Sequence, residues 1–127
     1  MSDDLLTIRQ MCDAFQVTPR TLRFYESREL LSPIRDGQKR LYSRRDRGRL
    51  TLILRGKRFG FSLEDIRQLL DLYEPGEGGG RDQIRRTADA ARARLAILED
   101  QQKELADAIT ELREELARLD TMLTRGA

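Results

Sequence analysis

The chain has 127 residues, 36% of them charged and 6% aromatic, with a net charge of +2; this is one compact domain with at most an appendage, helix-rich and well solvated, and it excludes a large core. No run of about 18 apolar residues is present, which excludes a membrane-spanning helix, and the acidic start Met1-Ser2-Asp3-Asp4 lacks the basic and apolar regions of a secretory leader. The charge is uneven: Arg35 to Arg58 holds ten Lys or Arg against Asp36 and Asp46, whereas Arg81 onward holds nine basic and ten acidic residues.

Thr7 caps a helix running to about Phe15, with Ile8, Met11, Cys12 and Phe15 on one face. After a break at Gln16-Val17, Thr18-Pro19 starts a second helix, a capping hydroxyl followed by proline at the first helical position. Two short helices joined by a tight turn make a helix-turn-helix. In the second helix Leu22 and Tyr25 share one side, while Arg20, Arg23 and Phe24 lie nearer the other. Leu30 and Leu31 close the core, and Pro33 ends the segment. Ile34-Arg35, a turn at Asp36-Gly37, and Lys39-Arg40-Leu41-Tyr42 read as a β-hairpin, and a hairpin beside a helix-turn-helix is a wing. Ser43-Arg44-Arg45-Asp46 has the form of a capping box and opens a helix to about Arg58, with Leu50, Ile53 and Leu54 inward. Gly60 breaks it. Ser62 starts a further helix with Ile66, Leu69, Leu70 and Tyr73 on its apolar face, and Pro75 with the glycines to Gly80 forms a hinge over 75–81.

From Asp82 to Thr124 the sequence predicts one long helix. Its apolar stripe is Ile84, Ala88, Ala91, Leu95, Leu98, Leu105, Ile109, Leu112, Leu116, Leu119 and Leu123, alternating in steps of four and three through Gln102. That spacing specifies a coiled coil, and a helix of roughly 60 Å, at 1.5 Å per residue, needs a second copy to cover it. With Leu105 opposite Gln102 of an antiparallel partner, the flanking pairs Arg94–Glu115, Arg92–Asp120 and Glu99–Arg113 are all attractive; a parallel pairing sets Glu115 against Asp120. Gln102 is either a polar register marker or a residue tolerated near a wet seam. The division is thus 1–74, a hinge at 75–81, a dimerisation helix over 82–124, and a tail at 125–127.

The basic stretch points to a polyanion, since Lys and Arg on one surface neutralise phosphates and release counterions; a plain solvated face is the alternative. Here the residues themselves resemble a family. Thr18-Pro19-Arg20-Thr21-Leu22-Arg23-Phe24-Tyr25-Glu26 with Leu30-Leu31-Ser32-Pro33 resembles the recognition helix of MerR regulators and its exit. Arg40-Leu41-Tyr42-Ser43 followed by Asp46 resembles their wing strand, and Arg55-Gly56-Lys57-Arg58-Phe59-Gly60-Phe61-Ser62-Leu63 with Ile66 their second wing. The match covers about residues 5 to 74 in order and spacing.

The resemblance implies a mainly α fold, a winged helix-turn-helix plus an antiparallel coiled coil. It also implies a homodimer that binds a pseudo-palindromic promoter site in double-stranded DNA, acts on RNA polymerase indirectly through DNA distortion or by repression, and works in the cytoplasm. Arg20 and Arg23 would reach guanine edges or phosphates, and Thr18 and Thr21 would hold phosphates near the helix N-terminus. Tyr25 matches a family tyrosine that touches backbone, with core packing as the alternative. Arg40 and Tyr42 would set the wing on phosphates, with Lys39 and Arg35 as weaker candidates, and Lys57 and Arg58 fit the second wing. The stretch Gly48 to Arg58 is also similar to regulators of branched-chain amino-acid and fatty-acid breakdown, which implies an acyl-CoA or related effector and repression.

Metal-sensing relatives carry a cysteine at the start of the dimerisation helix, where this chain has Asp82. With Cys12 as the single cysteine and no histidine, neither a metal site nor a cofactor is expected. Cys12 reads as core packing. Drug-sensing relatives add a ligand domain beyond the coiled coil, so any effector is expected near the coiled coil or the hinge. No catalytic motif is present, and Gly78-Gly79-Gly80 lacks the strand and lysine of a phosphate loop. The remaining alternative is a coiled-coil adaptor, or a general DNA-binding protein without an effector.

Overall fold

Four hydroxyl caps set where helices begin. In the structure, a computed structural model that describes residues 4–73 and 80–126, Thr7 Oγ1 accepts from the Gln10 amide while Gln10 Oε1 accepts from the Thr7 amide, which opens α1 (Ile8–Phe15) with a reciprocal capping box. Thr18 caps α2 (Pro19–Ser27), Ser43 caps α3 (Arg44–Phe59) and Ser62 caps α4 (Leu63–Leu72). Gly60, at φ 88°, ends α3 in the left-handed conformation that glycine adopts without penalty.

The hairpin forms from β2 (Ile34–Asp36) and β3 (Lys39–Tyr42), with Asp36 opposite Lys39. Its two turn residues are therefore Gly37 and Gln38, one position later than the sequence predicts, because Gly37 supplies the positive φ of 65° that the first turn position needs. A strand that the sequence does not announce, β1 (Leu6–Thr7), pairs antiparallel with β3 and makes a three-stranded sheet in the order β1-β3-β2. Two residues are too few to show a period. The long helix α5 follows as Arg81–Thr124.

The core is Met11, Leu22, Tyr25, Leu30, Leu31, Tyr42, Leu50, Ile53, Ile66 and Leu70, all buried. Leu54 packs beside it half-buried, while Tyr73, expected on the apolar face of α4, is exposed because it caps the helix end rather than lying within it. Asp46 is buried with the core. Ser43 Oγ accepts its amide, but the Asp46 carboxylate does not reach back to Ser43; it accepts the Ser32 amide at 3.1 Å. The capping box expected there is thus half local cap and half a tie to the exit of α2.

By contact the chain divides into two units, one ending at Thr87 and one starting at Ala88 and built from the rest of α5. The expected hinge over 75–81 lies outside the described residues except for Gly80 and Arg81. No residue of α5 is buried, and no helix among the described residues is long and apolar enough to cross a membrane.

Candidate nucleic-acid interface

The site is built around α2. Thr18 holds its N-terminus, with Oγ1 3.2 Å from the Thr21 amide and 3.0 Å from Thr21 Oγ1. Its C-terminus closes with Glu29 in the left-handed conformation (φ 63°), the Glu29 amide on the Glu26 carbonyl and the Leu30 amide on the Tyr25 carbonyl, a Schellman closure made without glycine. Two arginines from outside finish the same end. Arg49 Nε donates to the Leu30 carbonyl at 2.7 Å, and Arg67 Nη2 donates to the Arg28 carbonyl at 2.7 Å. Cations suit carbonyls at a helix C-terminus, where the backbone dipole is negative.

With α2 fixed, its side chains divide. Leu22 and Tyr25 enter the core, while Arg20, Arg23 and Phe24 are exposed. A cleft of about 450 Å³ runs on one side of α2, lined by Pro19, Arg23, Gln38, Lys39 and Arg40 with Thr7 and Ile8. A second, of about 420 Å³, runs on the other side, lined by Arg20, Thr21, Phe24, Tyr25 and Lys57 with apolar side chains from α4 and the segment before it. The helix thus has a cationic cleft on either flank, one shared with the hairpin and one with α3 and α4. Cations gathered around an exposed helix are what a phosphate backbone meets when that helix enters a groove.

Of the residues expected on DNA, Thr18, Arg20, Arg23, Lys39, Lys57 and Arg58 are exposed, and Thr21 and Arg40 are half-buried. Tyr25 is 4% exposed, the packing alternative, and burial pushes its phenol pKa up. Tyr42 corrects its expectation. It is fully buried and its hydroxyl is out of solvent with no partner among the described residues, so it packs the core instead of presenting the wing to phosphates. Burial, and then the charge of Glu26, raise its pKa.

Glu26 ends the recognition-helix run, and the sequence alone gives it no role. Its Oε1 accepts Arg40 Nε at 2.7 Å and its Oε2 accepts Arg35 Nη2 at 2.6 Å. Burial raises its pKa, but the hydrogen bonds and charges of the two arginines outweigh this and hold the carboxyl below its ordinary value. The only local signal is that Glu26 is the single acid of α2, next to a basic hairpin.

On α5 the side chains expected at the dimer seam, Leu95, Leu98, Gln102, Leu105, Ile109, Leu112 and Leu116, are all exposed in the single chain. The helix carries internal ion pairs, Arg85–Asp82 at 3.6 Å, Arg92–Asp89 at 3.1 Å and Arg118–Glu115.

A helix-turn-helix with a hairpin wing and cationic clefts on both flanks of its second helix defines a DNA-binding protein. Residues 6–72 match the family described as MerR HTH family regulatory protein, and residues 47–124 match MerR, DNA binding. The chain is 32% identical over 104 residues to the HTH-type transcriptional regulator ZntR of Escherichia coli, covering 77% of this chain and 74% of that protein. It is similar to the crystal structure of the transcription regulator PbrR691 from Ralstonia metallidurans in complex with lead(II), with TM-score 0.60 and 31% identity over 84% of each chain. It is also similar to the crystal structure of HiNmlR, a MerR family regulator lacking the sensor domain, bound to promoter DNA, with TM-score 0.51 and 27% identity over 88% of this chain and 78% of that one. The chain belongs to the MerR family. It is a DNA-binding transcription regulator and not an enzyme, and proteins of this family bind promoter DNA as dimers.

The residues present do not fit a soft metal ion such as lead(II), which favours several thiolates. Cys12 is half-buried on α1, its thiol pKa raised by burial and by Asp13, and no three His, Cys, Asp or Glu group together among the described residues.

Proposed function

We propose that a dimer of this chain recognises a pseudo-palindromic promoter site, with α2 of each copy in a major groove and the hairpin and the α3–α4 region on flanking phosphates. The observation that supports this most is the pair of cationic clefts flanking α2. In this reading Arg20 and Arg23 meet guanine edges or phosphates, and Thr18 and Thr21 hold phosphates at the start of α2. Lys39 and Arg40 fix the wing, and Lys57 and Arg58 fix the far flank. Two copies pair antiparallel through α5, Leu105 near Gln102 of the partner, so that two half-sites are read at a set spacing. DNA-binding module, hinge and dimerisation helix take the ranges 1–74, 75–81 and 82–124, and the protein works in the cytoplasm. Control is by distorting the promoter, which acts on RNA polymerase indirectly, or by repression. Any small effector, an acyl-CoA or related metabolite on the strength of the Gly48–Arg58 stretch, acts near the hinge or the coiled coil.

The test is selection of binding sites from random duplexes by the purified protein at two salt concentrations. Enrichment of a pseudo-palindrome, with affinity falling as salt rises, is expected. Affinity insensitive to salt, or no binding, overturns the reading in favour of a coiled-coil adaptor.

A further inference from the structure

Resting on the DNA-binding reading above, we infer that Glu26 is a positioning residue for DNA recognition: it clamps Arg40 and Arg35 of the hairpin to the end of α2 and so presents Arg40 to the phosphate backbone in the cleft beside Arg23.

Tyr42 in the core and the pairing with β1 hold β3 in place, but β2 has no such anchor. Every residue of β2 is exposed, Ile34 included. Arg35 and Arg40 stand directly opposite each other across the strand pair, and like charges in that arrangement repel. One carboxylate between them removes the conflict, with one oxygen for each guanidinium. Because Glu26 projects from the last turn of α2, the same contact joins the wing to the recognition helix. Its side chain is 21% exposed and that of Arg40 24%, so the bond is partly shielded from water, where charged hydrogen bonds count for more.

The geometry also decides which part of Arg40 is used. Glu26 takes Nε, which leaves the two terminal nitrogens outside that bond, and Arg40 lines the cleft with Arg23 and Lys39. A guanidinium held from behind through Nε keeps its outer edge for an anion, and a preset orientation saves the ordering that a long side chain otherwise undergoes on binding. An acid beside a DNA-binding surface would ordinarily weaken binding by repelling phosphates. Here its charge is matched by two cations, and removing it frees the Arg40 and Arg35 side chains instead of relieving repulsion. The sign of the effect therefore separates the two roles.

The experiment titrates full-length protein with the duplex that the wild type selects and with an arbitrary duplex, each over a series of salt concentrations. Glu26→Ala is expected to weaken binding by about tenfold and to lower the slope of log affinity against log salt by about one, as though a phosphate contact were lost, although Glu26 touches no phosphate itself. Arg40→Ala is expected to do the same, and Glu26→Ala combined with Arg40→Ala to be no worse than Arg40→Ala alone. Since Arg40 is read as a phosphate contact, the slope change is expected on the arbitrary duplex as well, so the result does not depend on an operator being found. Binding that is unchanged or tighter in Glu26→Ala, or losses that simply add in the double variant, overturns the inference. A merely structural role would lower the melting temperature and leave the salt slope alone. If Glu26→Ala does not fold, Glu26→Gln, which keeps one acceptor oxygen and loses the charge, carries the same test, with a lowered slope expected and an unchanged slope overturning it.

Discussion

Arg23 projects from α2 into the cleft it shares with Lys39 and Arg40, where a guanidinium serves either a guanine edge or a phosphate. Arg23→Ala is expected to cost about 1–3 kcal/mol of specific binding if it reads a base. Equal loss on selected and arbitrary duplexes, measured side by side, assigns it to phosphate instead. Tyr42 makes the opposite case. Its ring is wholly buried and its hydroxyl finds no partner among the described residues, and an unsatisfied buried hydroxyl costs on the order of 1–3 kcal/mol. Tyr42→Phe is therefore expected to leave thermal stability unchanged or raised and DNA affinity intact; a drop in affinity would return Tyr42 to the phosphate backbone. Glu26 links stability to pH. Its carboxyl titrates below the ordinary glutamate value of 4.5, so its contribution to stability is fully present above that value and is lost as pH falls through the lowered native pKa. A titration of the Glu26 carboxyl by NMR checks this, and a midpoint at or above the ordinary value would remove the clamp.

Within α3, two glycines in one helix lie in opposite surroundings. A Cβ on Gly48 would meet nothing within 4 Å, whereas a Cβ on Gly56 would stand 2.8 Å from Ile66 Cγ1, in the core between α3 and α4. Alanine is the better helix former by about 1 kcal/mol. Gly48→Ala is thus expected to stabilise by about that amount. At Gly56 the same gain is opposed by overpacking, which costs about 1–3 kcal/mol. Ile66 is 2% exposed and its Cγ1 sits close to its own backbone, so it has little room to yield and the net is loss. Chemical denaturation of the two variants measures both signs; equal stabilisation would mean that α4 shifts freely.

The element scale is also where the sequence is most readable. Thr7, Thr18-Pro19, Ser43, Ser62 and Gly60 mark the helix ends because a cap is a local event, settled within three residues. The core side of α2 follows from spacing alone. What the sequence hides is settled at a distance. Glu26 meets Arg40 fourteen positions away, and Asp46 meets Ser32 at the same separation; no local period records such pairs. Arg40 and Tyr42 illustrate the limit. Two residues apart on β3, they share a face by the strand period, and the sequence sends both to DNA. That face changes along the strand, from the ion pair with α2 at Arg40 to the core at Tyr42, which only the packing of the hairpin against its neighbours decides.

At the scale of the whole molecule the unanswered surface is α5. None of its 44 residues is buried in the single chain, and Leu105 and Leu112 are 62% and 69% exposed on the stripe. Full burial of a leucine contributes about 1.5–3 kcal/mol, so the stripe of two copies together exceeds an association cost of roughly 4–15 kcal/mol. Leu105 lies near the middle, and Leu105→Glu would place one carboxylate from each copy in the seam with no cation set to meet it. The expected result is a monomer by analytical ultracentrifugation, with loss of high-affinity binding to a two-half-site duplex because each half is then bound alone. A dimer mass that does not change would end the coiled-coil reading. Orientation follows from a charge swap. In the antiparallel register Glu99 faces Arg113, whereas in a parallel pair Glu99 faces Arg94. Glu99→Arg is expected to weaken the dimer by about 0.2–1 kcal/mol per exposed pair in either case. Adding Arg113→Glu restores it only if the helices run antiparallel, since in the parallel pair the introduced guanidinium would still face Arg94.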